Sequence, residues 1–98
     1  MSSLNMTALQ RYRQQILALA RQRGAQNVRV FGSFARDEQT KQSDIDLLVC
    51  MEQGRSLLDL IAFLRAVREL TGREVDVVDD RGISPYLKKR ILSEAVPL

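Results

Sequence analysis

Two aspartates, two positions apart, open a mostly apolar stretch of the chain. Asp44 and Asp46 lie in the sequence Ser-Asp-Ile-Asp-Leu-Leu-Val at residues 43–49. Because side chains alternate between the two faces of a β-strand, these carboxylates point the same way, roughly 6.6 Å apart along the strand. Two acids on one face of an apolar strand suggest a bound divalent cation with oxygen ligands. A solvated strand end is the alternative for this pair taken alone.

A third acid, Asp76, interrupts another apolar stretch, Val-Asp-Val-Val at residues 75–78. If this stretch forms a strand beside the first, Asp76 can point to the same face as Asp44 and Asp46. Three converging carboxylates raise one another's pKa values, and a divalent cation removes that penalty. Three carboxylates also suit two metal ions about 4 Å apart, which is the arrangement used for in-line attack on phosphorus. Alone, Asp76 could equally be an acid on an edge strand.

A Gly-Ser pair, Gly32-Ser33, ends the short apolar run that precedes these acids. A glycine at such a turn lets a phosphate approach the backbone, whose N–H groups attract anions at the start of a helix. The Ser33 hydroxyl is a further donor. Arg36 either contacts the same phosphate or pairs with Asp37 or Glu38. A Gly-Ser pair alone is typical of an ordinary turn, but together the residues predict phosphates at Gly-Ser and metal ions at Asp-x-Asp.

The composition excludes several other kinds of catalytic site. The chain has no His and one Cys, Cys50, which rules out a Cys/His zinc site and a Ser-His-Asp or Cys-His nucleophile. Any catalytic metal would therefore bind to carboxylates, which favours Mg²⁺ or Mn²⁺. A single cysteine excludes an internal disulfide and suggests a cytoplasmic protein, with Cys50 as a small buried apolar residue.

The charge of the chain is unevenly distributed. The net charge is +3, yet residues 1–36 contain six arginines and no acid, while all twelve acids lie from Asp37 onward. This asymmetry indicates either an anionic partner or a solvated, arginine-rich helix face. We expect no membrane-spanning helix and no signal peptide, because no apolar run approaches about 18 residues and the first residues lack a basic region.

Hydrophobic periodicity predicts one α/β domain over residues 1–98, with a small sheet of about three strands flanked by helices. Helix ends are indicated by Gly24 and Gly72, and helix starts by Ser56 and Ser84. Residues 34–37 could form the first turn of a further helix. The predicted helices span 7–23, 57–71 and 86–94, and the predicted strands span 28–31, 44–51 and 74–79.

The central stretch resembles the signature of the minimal nucleotidyltransferases, a branch of the DNA polymerase β-like nucleotidyltransferase superfamily. The chain has Val-Phe-Gly-Ser-Phe-Ala-Arg at 30–36, ten residues between Ser33 and Asp44, and then Asp-Ile-Asp. Asp76 matches the family's third aspartate, and residues 83–91 are similar to the tail of these proteins. One position departs from the pattern, since relatives often carry Gly where this chain has Asp37.

The resemblance implies the nucleotidyltransferase fold, with a small mixed β-sheet flanked by helices. It also implies a nucleotidyl transfer from ATP that depends on two Mg²⁺ ions. The phosphates would lie at Gly32 and Ser33. Asp44 and Asp46 would hold the metal ions, and Asp76 would complete the second metal site and accept the proton of the attacking hydroxyl. The family's reaction attacks the α-phosphorus and releases pyrophosphate.

The resemblance also suggests the acceptor. Stand-alone members of the family are commonly antitoxins that add AMP to a tyrosine of a HEPN-domain ribonuclease toxin, so we expect a HEPN partner in a hetero-oligomer, with nucleic acid involved only through that toxin. Exposed apolar residues on the first and last helices would suit such a contact. Two other hypotheses remain: an antitoxin that inhibits by binding alone, and a small-molecule nucleotidyltransferase of the aminoglycoside type completed by a partner.

Overall fold

The computed structural model describes residues 5–98. Its helices are α1 (Met6–Gln10), α2 (Arg13–Arg23), α3 (Leu57–Thr71) and α4 (Pro85–Glu94). Its strands are β1 (Ala25–Phe31), β2 (Ile45–Met51), β3 (Val75–Asp79) and β4 (Val96–Pro97). The expectation of an α/β fold with a mixed sheet flanked by helices is confirmed.

The four strands form one sheet in the order β3-β2-β1-β4. Strand β2 runs antiparallel to β1 and parallel to β3, and β4 pairs antiparallel with β1. Helices α2 and α3 pack against each other and against β1 and β3 respectively. The core therefore lies between this helix pair and the sheet, and the order of the strands makes β2 an inner strand between β3 and β1.

Helix α3 shows how the sequence specifies the core. Its Phe63 and Val67, four residues apart on one face, are fully buried, and burying each stabilises the fold by roughly 1.5–3 kcal/mol. The Asp59 carboxylate accepts a hydrogen bond from the Ser56 N–H at 3.2 Å, which satisfies one free donor at the helix start. The helix ends at Gly72, whose left-handed backbone (φ 71°) is the conformation predicted for a glycine cap.

Three predicted elements differ from the structure in the first and last parts of the chain. The helix predicted at 7–23 is broken at residues 11–12, where backbone bonds to the third residue back replace the α-helical pattern. Strand β1 begins at Ala25, before the predicted start at Val28. Its first residues were not predicted because a bulge, with Asn27 at φ 53°, interrupts the alternation of side chains along the strand. The sheet has four strands instead of about three. The additional strand, β4, was not predicted because two residues are too few to form a recognisable sequence pattern.

The distribution of exposed apolar side chains confirms one expectation and corrects another. Helix α4 exposes Tyr86, Leu87 and Leu92, as predicted for the last helix. Within residues 5–98, the exposed large apolar side chains include none in α1 or α2, so the prediction for the first helix is wrong there. Cys50 is half-buried instead of fully buried. None of the helices in the described part of the chain is long and apolar enough to cross a membrane.

Candidate active site

The sheet brings the predicted acids to one place. Asp46 lies in β2 directly opposite Asp76 of the parallel strand β3, so the two side chains share a face. On its other side, Asp46 is opposite Phe31, the last residue of β1. Asp44 lies one residue before β2, not within it as predicted, and is exposed. Asp46 is therefore the central carboxylate, between Asp76 and the end of β1.

The alternation of β2 explains why acids occur in a buried strand. Ile45, Leu47 and Val49 are fully buried in the core, while Asp46 is half-buried on the opposite face. Burial raises the pKa of Asp46 to about 6, and the negative charges of Asp76 and Asp44 add to the shift. Within residues 5–98, Asp44, Asp46 and Asp76 take part in none of the observed salt bridges. The site thus concentrates negative charge that a cation would neutralise.

Gly32 joins the phosphate half of the predicted site to the carboxylate half. It is buried, and its backbone is left-handed with φ 74°. A Cβ added at this position would overlap the Oδ2 atom of Asp46. Glycine is therefore required twice here, once for the backbone conformation and once for the space beside the carboxylate.

The segment after Gly32 is a tight turn, and the prediction of a helical first turn at residues 34–37 is wrong. The Arg36 N–H donates to the Gly32 carbonyl at 3.2 Å and the Glu38 N–H to the Ser33 carbonyl at 2.9 Å, but the pattern does not continue into a helix. The chain leaves the turn through Asp37, which has φ 56°. Anion binding here would therefore depend on the turn's own N–H groups and on Arg36, not on a helix N-terminus.

Asp37 occupies the position at which the family resemblance led us to expect glycine. Its left-handed φ is the conformation that glycine adopts without strain and that Asp tolerates better than most residues. The departure from the family pattern therefore leaves the shape of the turn in place. The substitution adds a charge to the exposed surface of the turn.

A glutamate from the last helix also reaches this turn. Glu94 Oε1 accepts a hydrogen bond from the Gly32 N–H at 3.1 Å, and both of its carboxylate oxygens accept from Arg36 Nη1, at 3.0 and 3.2 Å. Arg36 Nε donates to Glu38 at 3.1 Å, so the structure shows the pairing with Glu38 that was the alternative to a phosphate contact. Glu38 and then Glu94 raise the pKa of Arg36. No sequence pattern predicted the contacts of Glu94.

Arg73, a second residue missed in the sequence, fixes the loop that precedes Asp44. Its Nη2 donates to the carbonyls of Thr40 at 2.9 Å and Ser43 at 2.8 Å. Its guanidinium also lies over the ring of Phe34, 5.5 Å from the centroid, and Phe34 is itself fully buried. Arg73 thereby ties both ends of the ten-residue segment to the start of β3.

The donors present have the chemistry that Mg²⁺ prefers, namely carboxylate oxygens on one face of a sheet. Asp46 and Asp76 are neighbours in the register, and the missing Cβ of Gly32 leaves room beside Asp46. As the side chains stand in residues 5–98, no three acidic or sulfur side chains converge closely enough to hold an ion. The residue types and their shared face fit a divalent cation, and binding would require the carboxylates to turn toward one another.

Comparison with known proteins identifies relatives of the same size. The family model described as a nucleotidyltransferase domain matches residues 12–98. A "putative protein adenylyltransferase" of Methanocaldococcus jannaschii is 44% identical over 84 residues, which are 86% of this chain and 90% of that protein. The protein adenylyltransferase MntA of Thermococcus cleftensis is 36% identical over 73 residues, or 74% of each chain.

Solved structures show the same fold. A structure described as a "putative minimal nucleotidyltransferase" superposes with a TM-score of 0.89 at 44% identity, covering 100% of both chains. A chain of a toxin–antitoxin complex with AMP-PNP superposes with a TM-score of 0.75 at 23% identity, covering 86% of this chain and 69% of that one. The second likeness shows the fold alone. With the match over residues 12–98 and the relative at 44% identity, the chain belongs to the nucleotidyltransferase domain family and is similar to its minimal members.

Proposed function

We propose that this protein transfers AMP from ATP to a tyrosine hydroxyl of a HEPN-domain ribonuclease toxin and so acts as its antitoxin. One observation carries the chemical part of this proposal. Gly32 packs against Asp46, which in turn lies opposite Asp76, so the phosphate turn and the carboxylates form a single site. Such a site can hold a triphosphate and its counter-ions side by side.

The proposed roles follow from exposure and position. The backbone of Gly32, the Ser33 hydroxyl and the Arg36 guanidinium bind the phosphates, and the carboxylates of Asp44, Asp46 and Asp76 hold the metal. Two Mg²⁺ ions, when bound, supply charge neutralisation for in-line displacement at phosphorus. Asp76 is exposed beside Asp46, and there it accepts the proton of the attacking hydroxyl as the new P–O bond forms and pyrophosphate departs.

The acceptor is proposed from the relatives. Both relatives described above are named as protein adenylyltransferases. A chain from a complex of a tri-AMPylated Shewanella oneidensis HEPN toxin with its MNT antitoxin has the same fold, with a TM-score of 0.69 at 21% identity. The exposed apolar side chains of α4 would suit contact with a partner of this kind. A cytoplasmic location is part of the proposal, because ATP is the donor.

The test is transfer to a HEPN protein encoded beside this chain. The two proteins are incubated with ATP and Mg²⁺, and intact-mass spectrometry followed by peptide mapping locates any added AMP. We expect AMP on a tyrosine of the partner and none when EDTA replaces Mg²⁺. The double variant Asp44→Asn, Asp46→Asn should abolish the added mass while retaining the wild-type circular dichroism spectrum.

The same variant distinguishes catalysis from inhibition by binding. If it still protects cells from the toxin fully, and the wild-type protein never adds mass to the toxin, the enzymatic proposal is wrong and the chain inhibits by binding. Pyrophosphate release with an aminoglycoside, and none with the HEPN protein, would indicate a small-molecule acceptor instead.

A further inference from the structure

The Glu94 carboxylate occupies two of the three donors that the proposed function assigns to the nucleotide, the Gly32 N–H and the Arg36 guanidinium. It accepts the Gly32 N–H at 3.1 Å and binds Arg36 through both oxygens at 3.0 and 3.2 Å. Carboxylate and phosphate oxygens are both anionic acceptors and use the same kinds of donor. The hydrogen of the Gly32 N–H, once directed at Glu94, is not free for a phosphate oxygen.

The position of Glu94 adds an electrostatic conflict. Its negative charge lies on the same side as the aspartates and is one of the charges that raise the pKa of Asp46. A triphosphate that enters this site would meet both a blocked N–H and a repelling carboxylate. The observed position of Glu94 therefore corresponds to a phosphate turn that is closed to nucleotide.

The contact can be released without loss of core packing. Helix α4, which lies wholly in the described part of the chain, has no fully buried side chain. Glu94 is in its last turn, and its side chain is about one quarter exposed, with that of Arg36 at 44%. Ion pairs with this much solvent contact are weak, so an incoming polyanion can replace the carboxylate.

We propose that the Glu94 carboxylate competes with the nucleoside triphosphate for the Gly32 N–H and the Arg36 guanidinium. It closes the phosphate turn at these two residues and must leave before ATP binds. The inference rests on the proposed function, because it takes the phosphates to bind at Gly32 and Arg36. It predicts that the resting protein binds nucleotide less tightly than its donors would allow. A partner that contacts the exposed side of α4 would control the same step.

The experiment measures the affinity for AMP-PNP with Mg²⁺ by isothermal titration calorimetry. Glu94→Ala removes the competitor, and Glu38→Ala is the matched control, because Glu38 also binds Arg36 but does not contact Gly32. We expect Glu94→Ala to lower Kd about three- to tenfold, as for removal of one partly exposed ion pair together with the hydrogen bond that occupies the Gly32 N–H. Glu38→Ala should leave Kd within about twofold of the wild type.

A second variant guards against a change in folding. Glu94→Gln keeps the shape of the side chain and an acceptor for the Gly32 N–H but not the charge, so its Kd should lie between those of the wild type and Glu94→Ala. Thermal unfolding checks that each variant remains folded. Should Glu94→Ala not fold, Glu94→Gln carries the same comparison with the wild type.

The outcomes separate this inference from the proposed function. If the wild type binds AMP-PNP and Glu94→Ala binds it no more tightly, only the role of Glu94 is refuted. If Glu94→Ala and Glu38→Ala improve affinity equally, the effect is one of charge on Arg36, and the proposed occlusion of Gly32 is also refuted. If neither the wild type nor Glu94→Ala binds AMP-PNP, the proposed function fails together with this inference.

Discussion

Gly32 is the position at which a single methyl group tests the geometry of the site. A left-handed backbone costs a non-glycine residue roughly 1–2 kcal/mol. The Cβ of Gly32→Ala would also overlap the Asp46 carboxylate, which must then rotate or shift, and overpacking of this kind costs roughly 1–3 kcal/mol. The variant should therefore lose about 2–5 kcal/mol of the free energy of unfolding, as the sum of these two costs.

Gly72 provides a control with nearly the same backbone. Its φ is 71°, against 74° for Gly32, and among residues 5–98 no atom beyond the adjacent backbone lies within 4 Å of a Cβ added there. Gly72→Ala should therefore cost only the conformational term, about 1–2 kcal/mol. Urea-induced unfolding at pH 7 measures both variants, and their difference isolates the contact between the added methyl group and Asp46.

The functional consequence should follow the same difference. Displacement of Asp46 should weaken binding of AMP-PNP with Mg²⁺ at least about tenfold in Gly32→Ala, since a misplaced ligand group loses most of its contribution. Gly72→Ala should bind within about twofold of the wild type, because it lies outside the proposed site. Equal losses of stability in the two variants, or unchanged nucleotide binding in Gly32→Ala, would refute the reasoning about Gly32 and Asp46.

Three further predictions concern the surroundings of this contact. Arg73→Lys should reduce transfer of AMP more than it reduces the free energy of unfolding, because a lysine ammonium cannot donate to the carbonyls of Thr40 and Ser43 and also place a planar cation over the Phe34 ring; equal transfer by both proteins in the AMP assay would contradict this. Asp37→Gly should preserve or slightly raise the thermal unfolding temperature, whereas Asp37→Val should lower it, because a β-branched residue is strained at φ 56°; a Val variant as stable as the Gly variant would be the contrary result. The third concerns the pKa of Asp46, raised from 3.8 to about 6. The folded state then binds more protons than the unfolded state between those values, so in EDTA stability should fall as pH rises from 4 to 6. Asp46→Asn should remove that loss. At pH 8 its free energy of unfolding should exceed that of the wild type by about 1–2 kcal/mol, a value reduced because Asp46 is partly exposed. Urea unfolding at pH 4, 6 and 8 measures this difference, and no gain in stability at pH 8 would contradict the prediction.

Local sequence patterns predicted the parts of the fold whose cause is local. The period of two along β2 placed Ile45, Leu47 and Val49 in the core and Asp46 on the opposite face, as the structure shows. Gly72 was predicted as a helix end because few other residues adopt its backbone conformation. These signals depend on the few neighbouring residues that each side chain contacts.

The contacts that the sequence patterns missed at the site, and strand β4, depend on parts of the chain that are distant in sequence. Glu94 is 62 residues from Gly32 in sequence, and Arg73 is 30 residues from Ser43. A glutamate in the last turn of a helix and an arginine after a glycine have no spacing that distinguishes them from solvated charges. Strand β4 is similar, because its two residues form a strand only by pairing with Arg29 and Val30 of β1.

The ten residues between Ser33 and Asp44 gain a physical explanation from Arg73. The segment must leave the end of β1, return to the start of its antiparallel neighbour β2 and still hold Asp44 beside Asp46. The first residue of the segment, Phe34, is buried in the core. Arg73 lies over the Phe34 ring and also donates to the carbonyl of Ser43, the last residue of the segment. The Arg73 side chain thus contacts both ends of the segment that joins the Gly-Ser pair to the Asp-x-Asp pair. A segment of another length would have to rearrange to keep both contacts, so the ten-residue spacing is linked to the way the phosphate turn meets the carboxylates.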